Sequence, residues 1–307
     1  MDANEREHVP VLLAEVLGLI EVHPGIRIVD ATLGSGGYAR SFLEKLDTSA
    51  RVVAFDWDEQ AIRSFEERYV ADPLVGPALQ SKRFVLVHAP YSELASTLAK
   101  ANIGSVDVIV ADLGLSSAQL DDPSRGLSFQ KDGPLDMRLN AKETVTGADI
   151  LHQWSSDALA ELFRVYADEG EALRIAKAIV FERKKTSFER TLQLAELVKR
   201  NVVSARRSGR IHPATKVFQA LRMAVNSEIQ HLEGLLGAAH EKLGSGGRMI
   251  VVSFHSGEDG LVKHAFQKWS REDGWHILTK KPIVPSREEE CTNPRARSAK
   301  LRCIQKP

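Results

Sequence analysis

Four apolar runs of six residues recur in the first third of the chain, at 26–31, 51–56, 83–88 and 106–111. Stretches with helical spacing of apolar positions lie between them, at 38–47, 58–70 and 91–101, and one more precedes them at 11–20. Short apolar runs alternating with amphipathic helices predict an α/β protein whose parallel sheet is covered on both faces. The alternation stops after Asp112, and the next strand-like run is Met249 to Phe254. The intervening pattern is helical, at 148–153, 157–166, 171–184, 188–202 and a long helix from about 213 to 242. The long helix is assigned to the sheet, feeding the fifth strand through Gly244-Ser-Gly-Gly247. This predicts a discontinuous core, 1–113 with 213–307, and an inserted helical domain at 114–212. Open α/β sheets bind ligands at the carboxyl ends of their strands. An insertion leaving a strand end is therefore expected to roof the ligand site and present a substrate. A final apolar alternation after Asn293 reads as a last edge strand, with Arg295 and Arg297 just ahead of it near the rim of the sheet.

The first strand runs into Ile28-Val-Asp-Ala-Thr-Leu-Gly-Ser-Gly-Gly37, and the second ends in Asp56. Strand, glycine turn, helix, strand and acid is the layout of a nucleotide-binding βαβ unit. Gly34, Gly36 and Gly37 let the backbone approach a ligand, and a carboxylate at a strand end takes ribose hydroxyls. Gly34-Ser-Gly36-Gly-Tyr-Ala39 formally fits the dinucleotide fingerprint, but that fingerprint places its first glycine directly after the strand and a pyrophosphate on the helix N-terminus. Here Asp30 and three more residues intervene. A carboxylate there repels a pyrophosphate and suits a cation. Asp30, Gly34, Gly36, Gly37 and Asp56 therefore point to S-adenosylmethionine, which carries an amino group and a sulfonium.

Length and charge fit an enzyme with an added domain. A chain of 307 residues is long for one doubly wound domain. No apolar run reaches 18 residues, which excludes a helical membrane span from the expectation. The start, Met1-Asp-Ala-Asn-Glu-Arg-Glu, is neither a secretory signal nor an Arg-rich transit peptide. Cys291 and Cys303 can pair or stay free, and with no Cys or His cluster at ligand spacing no metal is expected. A cytoplasmic, reducing setting follows. Net charge is zero, from 41 bases and 41 acids, but its distribution is uneven. Nine Lys/Arg stand against three Glu between Glu182 and Arg210, among them Arg206, Arg207 and Arg210. Residues 295–307 hold five bases and no acid. Two such patches beside a nucleotide-type fold point to a polyanion, and RNA is the reading they favour.

Three further segments are polar where fold-building alone does not require it. Asp112 to Arg138 leaves a strand end and stays loop-like for over twenty residues, with Leu127, Phe129, Leu135 and Met137 able to pin it down. Long loops at strand ends usually carry function. Ser253-Phe-His-Ser256 ends the fifth strand, where His255 is either a satisfied structural histidine or a proton acceptor. Asn293-Pro-Arg-Ala-Arg-Ser-Ala-Lys-Leu-Arg302 leads into the last strand.

Taken together, these motifs resemble the bacterial 16S ribosomal RNA (cytosine-N4) methyltransferases of the H type. The resemblance rests on His8-Val-Pro-Val-Leu-Leu13, Asp30 to Gly37, Asp112 to Gln119 with Leu120-Asp-Asp, Arg125-Gly-Leu-Ser-Phe and Asp132-Gly-Pro-Leu-Asp-Met-Arg138. It continues in His212-Pro-Ala-Thr, Phe218-Gln-Ala-Leu-Arg, Asn226-Ser-Glu, Ser253-Phe-His-Ser-Gly-Glu-Asp259 and Asn293-Pro-Arg-Ala-Arg-Ser298, and so covers nearly the whole chain. It implies a Rossmann-like class I S-adenosylmethionine methyltransferase sheet with an inserted all-helical domain that recognises substrate. The implied substrate is a cytosine in the decoding centre of 16S RNA within the small ribosomal subunit, position 1402 in the usual RNA numbering. The implied cofactor residues are Gly36, Gly37, Tyr38, Asp56, Tyr91, Asp112 and Gln119. Tyr38 stands where the family often has His and Tyr91 where it often has Phe, and both keep an aromatic ring. Gly257 replaces a usual Leu, which puts the start of the following helix in question.

The chemistry narrows the roles. A cytosine amino lone pair is delocalised into the ring and is a poor nucleophile. The enzyme must align nitrogen, methyl and sulfur and accept hydrogen bonds from the amine as it gains charge. Asp112, at the fourth strand end, is the best-placed carboxylate, as catalyst or as cofactor ligand, and His255 is the other candidate acceptor. Two rivals stay open at this level. One is a non-catalytic RNA-binding or assembly factor on a methyltransferase fold. The other is a nicotinamide-dependent oxidoreductase, against which Asp30 counts.

Overall fold

The computed structural model describes residues 10–203 and 212–307. The chain divides into two compact units, Met1–Gly114 with Gln230–Pro307, and Leu115–Ile229. The first is built on one seven-stranded sheet: β1 (Arg27–Asp30), β2 (Arg51–Asp56), β3 (Phe84–His88), β4 (Val106–Asp112), β5 (Leu243–Ser253), β6 (His276–Ile277) and β7 (Lys300–Gln305). Their order is β3-β2-β1-β4-β5-β7-β6. β1 to β5 run parallel, and β7 pairs antiparallel with both β5 and β6. The chain reverses direction across the sheet between β1–β2–β3 and β4–β5, which is where such a sheet opens a crevice at its carboxyl edge.

The apolar runs are continuous because both faces are covered. Successive side chains of a strand point to opposite faces. Ile28, Val52, Val108, Ile250 and Cys303 join one buried cluster, with Phe42 and Phe65 from helices Gly37–Lys45 and Glu59–Tyr69. Val29, Val53, Ile109, Val251 and Ile304 join the opposite one, with Leu98, Leu235 and Trp269 from helices Leu94–Lys100, Glu228–Lys242 and Ser256–Glu272.

The second unit is helical, with Gly147–Gln153, Ser156–Ala167, Ala172–Glu182, Thr191–Asn201 and Ala214–Val225 around a core that includes Ile150, Phe163, Ile175, Leu194 and Leu221. Among the described residues no helix is long and apolar enough to cross a membrane.

Three expectations are corrected. The long helix from 213 to 242 is two helices, Ala214–Val225 and Glu228–Lys242. Asn226 is buried; its amide donates to the carbonyls of Met137 at 2.8 Å and Arg222 at 2.9 Å, while its oxygen accepts from Leu139 N–H at 2.8 Å. Ser227 then turns at φ 48°, which ends the helical run. Ala214–Val225 accordingly clusters with the helical unit, and the division falls after Ile229 instead of at 212. The last strand is not an edge. β6 pairs outside it, and Ile283 bridges to Leu301.

The segment from Asp112 to Arg138 is also not an open loop. Helix Ser117–Asp121 and the short 3₁₀ turn Pro123–Arg125 interrupt it. Beyond them Pro134 forms a β-bridge with Arg190, Leu135 N–H donates to Glu189 O at 2.9 Å, and Gly133 N–H donates to Thr191 Oγ1 at 3.0 Å. Leu127, Leu135 and Met137 are buried in the helical core, as their apolar character requires.

Candidate active site

Four acids gather at the carboxyl edge of the sheet unit. Asp30 ends β1, Asp56 ends β2 and Asp112 ends β4. Glu258 comes from the helix Ser256–Glu272 that follows β5, and it is buried. The glycine turn is stitched to both neighbouring strands. Ala31 N–H donates to Val110 O at 2.8 Å and Leu33 N–H to Phe55 O at 2.7 Å. Gly34, at φ 52°, gives its N–H to Asp56 Oδ2 at 2.9 Å, and Asp58 N–H meets Asp56 Oδ1 at 2.8 Å. Gly36 is at φ 82°, and a Cβ there would lie 2.0 Å from the Phe65 ring. Only glycine fits that close approach, and Gly37 then opens the helix Gly37–Lys45.

Thr32 braces two of the acids. Its N–H donates to Asp30 Oδ1 at 3.1 Å, and its hydroxyl oxygen accepts from Asp112 N–H at 2.7 Å. The other Asp30 oxygen, Oδ2, and Asp112 Oδ1 are buried and have no hydrogen-bond partner among the described residues. Burial pushes the Asp30 carboxyl up to about 7, against one backbone N–H that lowers it, with Asp56 adding repulsion. Burial, then Asp30 and Glu258, push Asp112 well above the carboxylate range. Asp56 is pushed up to about 6 by burial, moderated by the N–H groups of Asp58 and Gly34. Orphaned buried acceptors are costly and call for a donor or a cation.

S-adenosylmethionine meets that need. It carries an amino group and a sulfonium, the kind of charge that such unpaired oxygens call for. Asp56 spends one lone pair of each oxygen on backbone N–H groups and keeps acceptor capacity for ribose hydroxyls. Asp56→Ala is expected to weaken cofactor binding by about 1–3 kcal/mol, the range for a polar partner left unpaired. Calorimetry giving the parent affinity would remove Asp56 from the site.

The remaining site expectations separate. The Tyr38 phenol is buried, donates to the carbonyl of Val11, and stacks on Phe42 with centroids 6.1 Å apart. Its ring packs in the core, and Asp112 and Asp30 act on the phenol. Tyr91 stands edge-on to His231 at 6.2 Å, and Trp57, next to Asp56, does the same at 4.6 Å. His231 Nδ1 lies 2.7 Å from Ser92 Oγ. Trp57 was legible in sequence only as the neighbour of Asp56, and His231 not at all. Gln119 belongs to the helical unit, where its Oε1 accepts from Ser116 N–H at 2.9 Å to close a capping box.

His255 is a helix cap. Its Nδ1 accepts from Glu258 N–H at 3.3 Å, and its Nε2 lies 3.1 Å from Glu258 Oε1, outside hydrogen-bonding alignment. Glu258 Oε2 in turn accepts from Phe254 N–H at 3.0 Å. Both ring nitrogens of His255 thus face Glu258. The helix after Gly257 is intact from Ser256 to Glu272.

The basic patches thin out once partners are assigned. Lys300 and Arg302 pair with Asp259 at 3.2 and 2.6 Å, and hold its carboxyl below the usual range against burial. Lys306 donates to the carbonyls of His240 and Leu243. Arg295 and Arg297 remain exposed on the 3₁₀ turn Pro294–Ser298, which is anchored by buried Ala296. In the helical unit Arg183 donates to the carbonyls of Leu151 and Trp154, and Arg190 pairs with Asp132 at 2.8 Å, while Lys184, Lys185 and Lys199 are exposed. Arg206, Arg207 and Arg210 lie outside the described residues. Cys291 and Cys303 are free, one exposed and one buried, and burial pushes the Cys303 thiol up to about 12.

Comparison with known proteins agrees with this geometry. The model of the MraW methylase family matches residues 5–307. A protein of Desulfotalea psychrophila is 40% identical, covering 100% of both chains. One of Syntrophobacter fumaroxidans is 39% identical over 98% of this chain and 96% of its own. One of a Cyanothece species is 44% identical over 97% and 94%. All three are described as ribosomal RNA small subunit methyltransferase H. With a family match that runs through both units and relatives matched from end to end, the chain belongs to the MraW methylase family and is an S-adenosylmethionine-dependent methyltransferase.

Proposed function

We propose that this protein methylates N4 of a cytosine in the decoding centre of small-subunit ribosomal RNA, position 1402 in the usual numbering, and does so in the cytoplasm on the small subunit. The observation that carries the reading is Asp112, a buried carboxylate at the tip of β4 with an oxygen unpaired among the described residues, with Asp30 and Asp56 at the tips of β1 and β2. The relatives named above support a small-subunit RNA substrate.

The cofactor supplies an electrophilic methyl group on a sulfonium. Asp112 accepts a hydrogen bond from the exocyclic amine, which localises the nitrogen lone pair and stabilises the charge that develops there. Its main chain is fixed by Thr32, so the acceptor is in place before substrate arrives. Neither cysteine is on a strand tip that carries an acid: Cys303 is buried in β7 with its thiol pushed up to about 12, and Cys291 is exposed on helix Arg287–Thr292. Attack through cytosine C5, which needs a cysteine nucleophile, is disfavoured. A base must be unstacked to reach such a site. The inserted helical unit and the exposed bases are proposed to bind the RNA.

Transfer of a labelled methyl group onto small subunits lacking the mark, followed by nucleoside analysis, tests the reading. The expected product is N4-methylcytidine, and 5-methylcytidine or a ribose methyl alone would overturn it. Removing Arg295 and Arg297 together is expected to lower RNA affinity and to flatten its salt dependence by about one to two units of log–log slope. An unchanged affinity and slope would make that turn structural only.

A further inference from the structure

We infer that Asp30 and Asp112 hold one proton between them when no cation is present, release it to solvent as the sulfonium donor binds, and take one back from the amine during methyl transfer. This rests on the cofactor reading above and adds the proton's route to it.

The geometry comes first. The two carboxylates sit at the tips of adjacent parallel strands and are braced by one residue, Thr32, which bonds Asp30 Oδ1 with its N–H and Asp112 N–H with its hydroxyl oxygen. Each presents one buried oxygen with no partner among the described residues. Among the described residues the charged groups that raise them are acids: Asp56 from β2 acts on Asp30, and Asp30 and Glu258, the latter from the helix after β5, act on Asp112. The buried Tyr38 phenol also faces both, and is itself pushed up by burial and by them. Glu258 in turn has His255 Nε2 at 3.1 Å from its Oε1. Two buried like charges with no cation cannot both ionise cheaply, and the pair titrates as a unit. The raised position of both carboxyls agrees with a retained proton near neutrality.

A sulfonium beside the pair reverses that preference and favours both carboxylates in ionised form. The methyl step then balances. The bond from sulfur to methyl carbon breaks and leaves its electron pair on sulfur, now a neutral thioether. The amine lone pair forms the new nitrogen–carbon bond. The surplus proton on that nitrogen passes to the Asp112 carboxylate. Positive charge is lost from sulfur and a proton is gained by the pair, so the net charge of the buried site is unchanged. The pair is then in the state it has without a cation, which suits the neutral thioether product.

The sign for binding follows. Without cation the pair's proton dissociates at raised pH, and with cation at lowered pH. Between those limits binding releases a proton and tightens as pH rises, by up to about tenfold per pH unit. S-adenosylhomocysteine shares the amino acid and adenosine groups but lacks the sulfonium charge.

The test is titration calorimetry of the full-length protein with each ligand near pH 7, in phosphate and in Tris, whose ionisation heats differ. S-adenosylmethionine is expected to release close to one more proton than S-adenosylhomocysteine, and its affinity to climb with pH between 6 and 8 more steeply. Asp112→Asn is expected to cancel most of that difference while both ligands still bind, and Asp30→Asn is the second variant should the first fail to fold. Binding of both ligands with equal proton counts would overturn the inference and leave the cofactor reading standing. Failure of either ligand to bind would sink both.

Discussion

Asp112→Asn is expected to slow methyl transfer by about 10²–10³-fold, the scale for losing one preorganised polar contact to developing charge, while making the cofactor-free protein more stable. The two effects oppose each other because the proposed acceptor is buried at a cost to the fold. Its buried oxygen lacks a partner, and burial with Asp30 and Glu258 raises its protonation range. A carboxyl raised in the folded state contributes a penalty that begins above its ordinary unfolded value and grows with pH until the folded value is passed. Asparagine carries no charge to desolvate. Its advantage in thermal midpoint should therefore be absent near pH 4 and widen toward pH 8. For scale, the raised Asp30 carboxyl, moved from 3.8 to about 7, corresponds to roughly 4 kcal/mol at about 1.4 kcal/mol per pH unit. A purely structural Asp112 would lose stability and activity together on substitution. Single-turnover rates beside melting curves at several pH values separate the cases.

Gly126→Ala should be the most damaging small substitution in the helical unit, costing more than about 4 kcal/mol. Gly126 is at φ 65°, where an L side chain is strained, and its Cβ would lie 1.8 Å from the carbonyl oxygen of Pro134. That carbonyl cannot move away easily. Pro134 is bridged to Arg190, and the flanking residues Gly133 and Leu135 are hydrogen-bonded to Thr191 and Glu189. Denaturant unfolding followed by circular dichroism should show early loss of helical signal. Ser128→Ala, in the same segment but only partly buried, should stay near the parent. Equal midpoints for Gly126→Ala and the parent would show that the segment is not the rigid brace its packing describes.

The resemblance marks the run from Arg125 to Arg138, and its loop-like pattern suggests a functional segment. The structure shows much of it serving architecture. Asp132 takes Arg190, Gly126 and Gly133 allow backbones to touch, and Met137 sits at φ 65° with its carbonyl on Asn226. These partners lie tens of residues away, so composition could mark the segment as unusual without saying why.

The sequence by itself determined β1 to β4, the parallel sheet, and the acids at three strand ends. Those signals are local: an apolar run, a glycine turn where φ turns positive, and a carboxylate at a fixed offset. It also put Asp30 at a strand end, where its charge argues against a pyrophosphate and for a cation, because charge at a known strand end is a short-range argument. Only the tertiary structure decided the rest. The break at Asn226–Ser227 lies inside an unbroken helical pattern and exists because Asn226 bonds Met137 and Leu139, nearly ninety residues earlier. β7 lies inside the sheet because β6, two residues long, pairs beyond it. Lys300, Arg302 and Lys306 are held by the fold, through Asp259 and two carbonyls that no local spacing connects to them. Glu258 reaches Asp112 because β4 and β5 are neighbours, although more than a hundred residues separate them. Local pattern sets which backbone a segment prefers; partners far apart in sequence are fixed by packing, and that decides which polar groups are satisfied and which are left facing the ligand.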